Sequence, residues 1–431
     1  MMIALWGCLL ATGADTKITV LSDIHVMAPE LIVNDGKAWQ DFLAAKRTML
    51  DYSTQLFDEQ VERLVAERPD IVLITGDLTK DGETASHRLV VSQLDRLRTA
   101  GIKVLVIPGD HDLGMPSALI YDGDKTSKAE TANSKQFAEL YNMYGYSADS
   151  ERDPNSLSYC AEPVSGLVIV GIACDSHGRL GSSSLSWICQ RVEKARAEGK
   201  QVLAMMHFLL FPHITNIEKK NDYVVEGYEI ITPSTAAYPC AYRQLTLNSD
   251  MTQLKVDTKY ITSLKGVSDF QSMAKDRLVD GSTQLFMKEE VDNETAANLA
   301  AKGFVIHAEG GEDESDESKT YLAFYEVTSF LLKLTGALDD MLSEVGMSWD
   351  MVDDTVRSML KDISGYDKGK RENRTDDFSL TIDLPKTTPS GITSVEADSE
   401  QGTYYNLQGI RVTAPSTKGL YIQNGRLKPV R

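Results

Sequence analysis

The chain is short of positive charge: 44 Lys and Arg stand against 63 Asp and Glu, a formal net charge of −19 over 431 residues, with a pI near 4.9. So acidic a surface argues against polyanionic partners, whether nucleic acid or anionic membrane. Long apolar runs are absent after the first fourteen residues, so no transmembrane helix is expected. Cysteine is scarce, at five, and without Cys8 the remainder are Cys160, Cys174, Cys189 and Cys240. Their spacing assigns no pairs, so disulfides and buried free thiols both stay open. Histidine is rarer than any charged residue, at seven, so each can be weighed by its neighbours.

What is present begins with an apolar leader. Ile3-Ala4-Leu5-Trp6-Gly7-Cys8-Leu9-Leu10 runs into the small residues Ala11-Thr12-Gly13-Ala14. That pattern reads as a secretory signal peptide cleaved near Ala14, too short to span a bilayer, and it implies a secreted or periplasmic protein. A hydrophobic content of 42% is ordinary for a globular chain. The length suggests one large domain and one or two smaller ones. The expected division is a leader at 1–14, a principal domain at 15–265, a helical appendage at 266–385 and a small C-terminal β-module at 386–431.

The principal domain is organised around three short apolar runs, at 18–21, 71–75 and 104–108. Each is rich in Val, Ile and Leu and is followed by a polar turn, which reads as a buried parallel strand. Helical spacing of apolar residues over 42–67 and 86–99 separates them. The three turns carry Asp23 and His25, then Asp77, then Asp110, His111 and Asp112. In an α/β sheet the loops at the carboxyl ends of parallel strands gather on one edge. Carboxylates crowded there repel one another unless a cation lies among them, and a mixture of carboxylate and imidazole suits zinc, iron or manganese better than calcium. Taken singly, each motif reads equally well as a cap or a tight turn.

Asp23-Ile24-His25, Gly76-Asp77-Leu78-Thr79-Lys80-Asp81-Gly82-Glu83 and Gly109-Asp110-His111-Asp112 resemble the motifs of the calcineurin-like metallophosphoesterases. Tyr144-Gly145-Tyr146, Ser156-Leu157-Ser158-Tyr159 and Met205-Met206-His207 resemble landmarks of its secreted bacterial members. The resemblance implies an α/β fold, a two-sheet β-sandwich flanked by helices. It also implies two divalent metal ions (manganese, iron or zinc), a small phosphorylated substrate, and hydrolysis of a phosphate mono- or diester by metal-activated water. By the same resemblance Asp23 and His25 hold the first metal, Asp77 bridges, His207 holds the second, Asp110 is a further ligand, and His111 stabilises or protonates the leaving oxygen.

Two departures stand out. Asp110 occupies the place of the family's Asn, adding a charge. The family's Gly-His-x-His motif is missing, since no Gly-His pair occurs anywhere in the chain. From His207 to the strand expected at 228–238 there are only about 20 residues, too few for the helix and strand that precede that motif. The second sheet is then expected to be one strand short. His213 is a possible extra ligand, and with it a one-metal hydrolase is conceivable. The alternative from another class is a degenerate phosphoesterase-fold binding module without turnover. His177 reads as a capping or surface residue, His87 as solvated at a helix start, and His307 as part of the loop near the acidic run 309–317.

Further along, 117–133 reads as a polar loop and 134–143 as a helix. Strands are expected at 157–161, 167–174 and 201–206, with a helix at 185–198. The stretches 228–240 and 244–261 read as strands of the second sheet. Helical patterns follow at 273–279, 283–291, 295–301, 321–342 and 349–362, with linkers at 366–377 and 387–391. Asn424-Gly425 between apolar runs signals a hairpin, in a tail similar to secretion-sorting modules.

Overall fold

The computed structural model describes residues 14–208, 230–288, 297–298, 301–302, 305, 308 and 379–384, and the strands at 404–405, 411–412, 419–423 and 426–430. The first half alternates strand and helix: β1 (Thr16–Leu21), β2 (Ile32–Asn34), α1 (Lys37–Ala44), α2 (Ser53–Glu67), β3 (Ile71–Ile74), α3 (Thr84–Thr99) and β4 (Lys103–Val106). Next come β5 (Leu119–Asp122), β6 (Lys125–Lys128), α4 (Ser134–Leu140), β7 (Glu151–Arg152), β8 (Tyr159–Val164), β9 (Leu167–Ile172), α5 (Ser182–Ala197) and β10 (Gln201–Met206). The chain continues through β11 (Ala241–Leu247), β12 (Gln253–Tyr260), α6 (Phe270–Lys288) and β13 (Ser379–Asp383). Near the end lie β14 (Tyr404–Tyr405), β15 (Arg411–Val412), β16 (Gly419–Gln423) and β17 (Arg426–Val430).

Two sheets build the principal layers. The first has the order β13-β12-β11-β1-β3-β4, and the second β10-β9-β8-β7. Strands β1, β3 and β4 are parallel, and all four residues of β3 are buried. A strand covered on both faces reads as a continuous apolar run, which is why Ile71-Val72-Leu73-Ile74 shows no alternation. Leu56, Phe57, Val61 and Leu64 of α2 and Val90, Leu94 and Leu97 of α3 join the same core. In β9 the alternation is explicit. Leu167 and Ile169 belong to the core shared with the first sheet, while Val168 and Val170 pack with Ile188 and Ala195 of α5. The fold is therefore the expected two-sheet α/β arrangement with helices outside.

Several local expectations are corrected. The apolar spacing over 42–67 is two helices, because residues 45–52 leave the helical path to meet another segment: Met49 N–H donates to Ala236 O at 2.7 Å. The region 117–133 contains β5 and β6, which form a three-stranded sheet with β2. Tyr121 from β5 is buried there against Trp39 and Phe42. No strand runs through 230–238; that segment contains Pro233 and crosses the loop after β1 instead. Strands β11 and β12 belong to the first sheet, not the second, with β11 antiparallel to β1. The helical patterns at 273–279 and 283–291 are one helix as far as Lys288. His87 is buried, not solvated.

Strand β13 pairs antiparallel with β12 at the sheet's edge. In the C-terminal sheet β16 and β17 pair with Gln423 opposite Arg426, the register a two-residue Asn-Gly connection requires. The leader (1–13), His213, His307, the acidic run and the patterns at 321–342, 349–362, 366–377 and 387–391 lie outside the described residues. None of the described helices is long and apolar enough to cross a membrane. Cys160, Cys174, Cys189 and Cys240 are free thiols.

Candidate metal centre

The parallel register brings Leu21, Ile74 and Val106 to one edge, so the loops that follow β1, β3 and β4 emerge side by side. They continue as a backbone ladder: Asp23 N–H donates to Gly76 O, His25 N–H to Asp77 O and Val26 N–H to Leu78 O, at 3.1, 2.9 and 3.0 Å. Asp23, His25 and Asp77 all take the left-handed conformation, with φ of 50°, 43° and 50°. Each such residue costs on the order of 1 kcal/mol and persists only where its surroundings over-determine it. Two glycines make the close approach possible. A Cβ at Gly109 would lie 2.2 Å from Asp77 Oδ1, and one at Gly76 would lie 2.7 Å from Gly109 N. Strand β10, from the second sheet, delivers His207 to the same place.

Asp77 lies at the middle. Its Oδ2 is 3.6 Å from His25 Nε2 and 3.5 Å from His207 Nε2. Asp23 Oδ1 is 3.8 Å from His25 Nε2, and Asp110 Oδ1 is 2.9 Å from His207 Nε2. One donor atom each from Asp23, Asp77 and His207 fall within 4.8 Å of one another. The structure thus brings together all five ligand candidates it describes. His213 lies outside the described residues.

The donor set fits a divalent cation. His207 Nδ1 is 3.1 Å from Thr75 O, a carbonyl that can only accept, so Nδ1 carries the proton and Nε2 is the atom presented to the carboxylates. This orienting bond from the outer ring nitrogen is the usual support of a metal-binding imidazole. Without a cation Nε2 must also be protonated to bond Asp110. Burial opposes that charge, but Asp110 and Asp77 outweigh it and raise His207 to about 10. Asp77 is pushed up to about 8 by burial, despite His207. His25 is lowered, chiefly by burial, which leaves its imidazole neutral and able to bind a cation.

His111 sits at the rim, its side chain 34% exposed, beside Asp110 at 32%. Its Nδ1 is 2.8 Å from both Lys80 O and Asp81 Oδ1, two acceptors, so Nδ1 is the proton donor and Nε2 faces the pocket. The hydrogen bond to Asp81 is the largest cause of a rise to about 9. The imidazolium at neutral pH can therefore give up an Nε2 proton.

The sequence reading missed three supports of this geometry. Asp81, buried and held ionised at about 2 by His111 and Lys80 against the cost of burial, orients His111. Its position four residues after Asp77 was the available signal. Asp112, expected at the metal edge, is fully buried and turned away. It accepts from the N–H groups of Gly109, Leu78 and Thr79 at 2.9, 3.1 and 2.9 Å and braces two of the loops. Residues 234–236 lie across the loop after β1: Ser234 Oγ donates to Asp23 O at 3.0 Å and Thr235 N–H to Ser22 O at 2.9 Å.

His87 braces from beneath. Nε2 lies 2.9 Å from Asp112 O and Nδ1 2.9 Å from Tyr141 Oη. The carbonyl requires Nε2 to be the donor, so neutral Nδ1 accepts from the tyrosine. Burial lowers the His87 pKa below its ordinary 6.5. Between that depressed value and 6.5 the unfolded chain binds the proton and the folded one does not, so stability falls as pH drops through this window. The stability difference between the wild type and His87→Gln, measured by urea unfolding, is expected to shrink from pH 7.5 to 5.5. An unchanged difference would remove the neutral, buried assignment.

Residues 16–228 match the family model described as calcineurin-like phosphoesterase, and over that segment the chain is similar to this family. Among solved structures, a dimetal phosphatase from Danio rerio aligns over 57% of this chain and 97% of its own, at 10% identity and a TM-score of 0.36. That overlap is too loose for comparing sites. No curated protein matches the chain.

Proposed function

We propose that the chain is a metal-dependent phosphoesterase that hydrolyses a small phosphate mono- or diester with water. The observation that carries this reading is Asp77 Oδ2, placed between His25 Nε2 and His207 Nε2 at 3.6 and 3.5 Å. Asp23, His25 and Asp77 would hold one cation, and Asp77, Asp110 and His207 a second. Divalent cations in those places polarise phosphoryl oxygens and bring the pKa of water toward neutrality. His111 donates its Nε2 proton to the departing oxygen, a step that general acids typically accelerate by about 10²–10⁴. Asp81 holds the opposite nitrogen, fixing the ring's direction. Asp110 in place of a neutral side chain adds negative charge, which favours cation binding and reduces the Lewis acidity left for the substrate.

The apolar leader supports a secreted or periplasmic location, and the acidic chain supports a small substrate over a nucleic-acid polymer. The absent Gly-His pair favours a second reading, a binding module that keeps cation and phosphate recognition but does not turn over. Steady-state hydrolysis of chromogenic phosphomonoesters and phosphodiesters, with added manganese and with chelator, separates the two. The enzyme reading expects manganese-dependent turnover that the chelator abolishes. Binding of inorganic phosphate with no turnover of either ester class would leave the module.

A further inference from the structure

Beneath His111 lies a cluster of charged side chains, of which the proposed reaction uses only Asp81, to hold the His111 ring. Lys80 is 3% exposed, Asp81 3% and Glu83 0%. The Lys80 ammonium bonds Asp81 Oδ2, reaches Glu83 Oε1 at 3.4 Å and donates to Ser117 O at 3.1 Å. Its remaining side is covered by aromatic rings, with the Phe42 centroid at 4.8 Å and Tyr121 at 5.9 Å. Glu83 Oε2 accepts the Asp81 backbone N–H at 3.0 Å. The two oxygens of Asp81 are thus divided: Oδ2 is committed to Lys80, and Oδ1 to His111 Nδ1 at 2.8 Å.

Charge balance makes this division necessary. Asp81 and Glu83 are two carboxylates buried side by side, a strongly unfavourable arrangement without a cation, and Lys80 lies between them. With Lys80 the four groups form a continuous chain of imidazole, carboxylate, ammonium and carboxylate. The ammonium also fixes the torsion of the Asp81 carboxylate, because rotation would break its Oδ2 contact. We propose that Lys80 is a positioning residue: by engaging Asp81 Oδ2, with Glu83 as its counter-anchor, it sets the direction in which Asp81 Oδ1 holds the His111 ring. Aromatic rings and carboxylates line its socket together, so the cation is enclosed. The role rests on the phosphoesterase reading for its catalytic consequence, but not for its structural one.

The test uses the full chain carrying Lys80→Met, similar in length and uncharged. The Nδ1–H of His111, held by two acceptors, gives a downfield proton resonance, assigned by its disappearance in His111→Gln. In Lys80→Met that resonance is expected to shift or broaden away. The kcat for a chromogenic phosphoester is expected to fall about tenfold to a hundredfold while KM stays within about twofold, as for a misaligned catalytic group. Glu83→Gln, which turns an amide toward the ammonium, is expected to shift the resonance and lower kcat in the same direction, and decides the matter if Lys80→Met does not fold. An unmoved resonance with unchanged kcat in either folded variant overturns the proposal, as does absence of the resonance from the wild type. A wild type that hydrolyses no ester removes the phosphoesterase reading, while the resonance still decides the role of Lys80.

Discussion

Asp77→Asn is expected to lower kcat/KM for phosphoester hydrolysis by about 10³ or more while leaving the fold intact. The carboxylate serves both halves of the site through Oδ2, lying between two imidazoles at 3.6 and 3.5 Å. Asparagine offers one neutral oxygen, which can satisfy the His111 backbone N–H that now donates to Asp77 Oδ1 at 2.9 Å. It then has none to share between two cations. Losing several kcal/mol of transition-state charge stabilisation corresponds to about three powers of ten in rate, at 1.36 kcal/mol each. Stability should move the other way. Burial raises Asp77 from 3.8 to about 8, so in the cation-free protein its ionisation opposes folding increasingly as pH rises between those values. At pH 7 the cation-free variant should melt no lower than the cation-free wild type. A loss of activity accompanied by an equal loss of cooperative melting would mean that Asp77 is structural, and activity within tenfold of the wild type would remove it from the site.

His111→Gln is expected to reduce kcat by about 10²–10⁴, the range for a general acid, with cation content unchanged. The ring's Nδ1 faces Asp81 and Lys80 O, away from the pocket, and its Nε2 lies 3.9 Å from Asp110 Oδ2 without reaching the donors around Asp77. The effect should depend on the leaving group. An ester whose departing oxygen is already a weak base needs no proton, so the deficit should shrink for nitrophenyl esters and grow for alkyl esters. Cation loss in parallel with activity would instead make His111 a ligand, and a deficit indifferent to the leaving group would refute the acid role.

The site was more legible in the sequence than the layers around it. Asp23, His25, Asp77, Asp110, His111 and His207 could be placed together because each follows an apolar run, and parallel strands deliver their carboxyl ends to one edge. Asp112 belonged to the same string of letters yet turned away, since only tertiary structure shows which of three adjacent polar side chains satisfies loop N–H groups. His87 looked solvated because α3 begins near it. Its burial comes from Phe137 of α4 and Tyr141 just after it, fifty residues on, packed edge-on against the ring. The segment 230–238 has the composition of a strand, but its donors are spent on Ser22 and Asp23, and that long-range contact overrides local preference. The hairpin β11–β12 was visible as strands, whereas its sheet was not, because pairing with β1 depends on register across more than two hundred residues.

The most direct test is the metal content of the purified chain. Protein reloaded with manganese and passed through a desalting column should retain cation near stoichiometric amounts by elemental analysis, and Asp77→Asn treated identically should not. Wild-type protein that retains no cation, with an ester hydrolysis rate equal to that of the variant, would contradict the assignment of this loop edge as a catalytic metal centre.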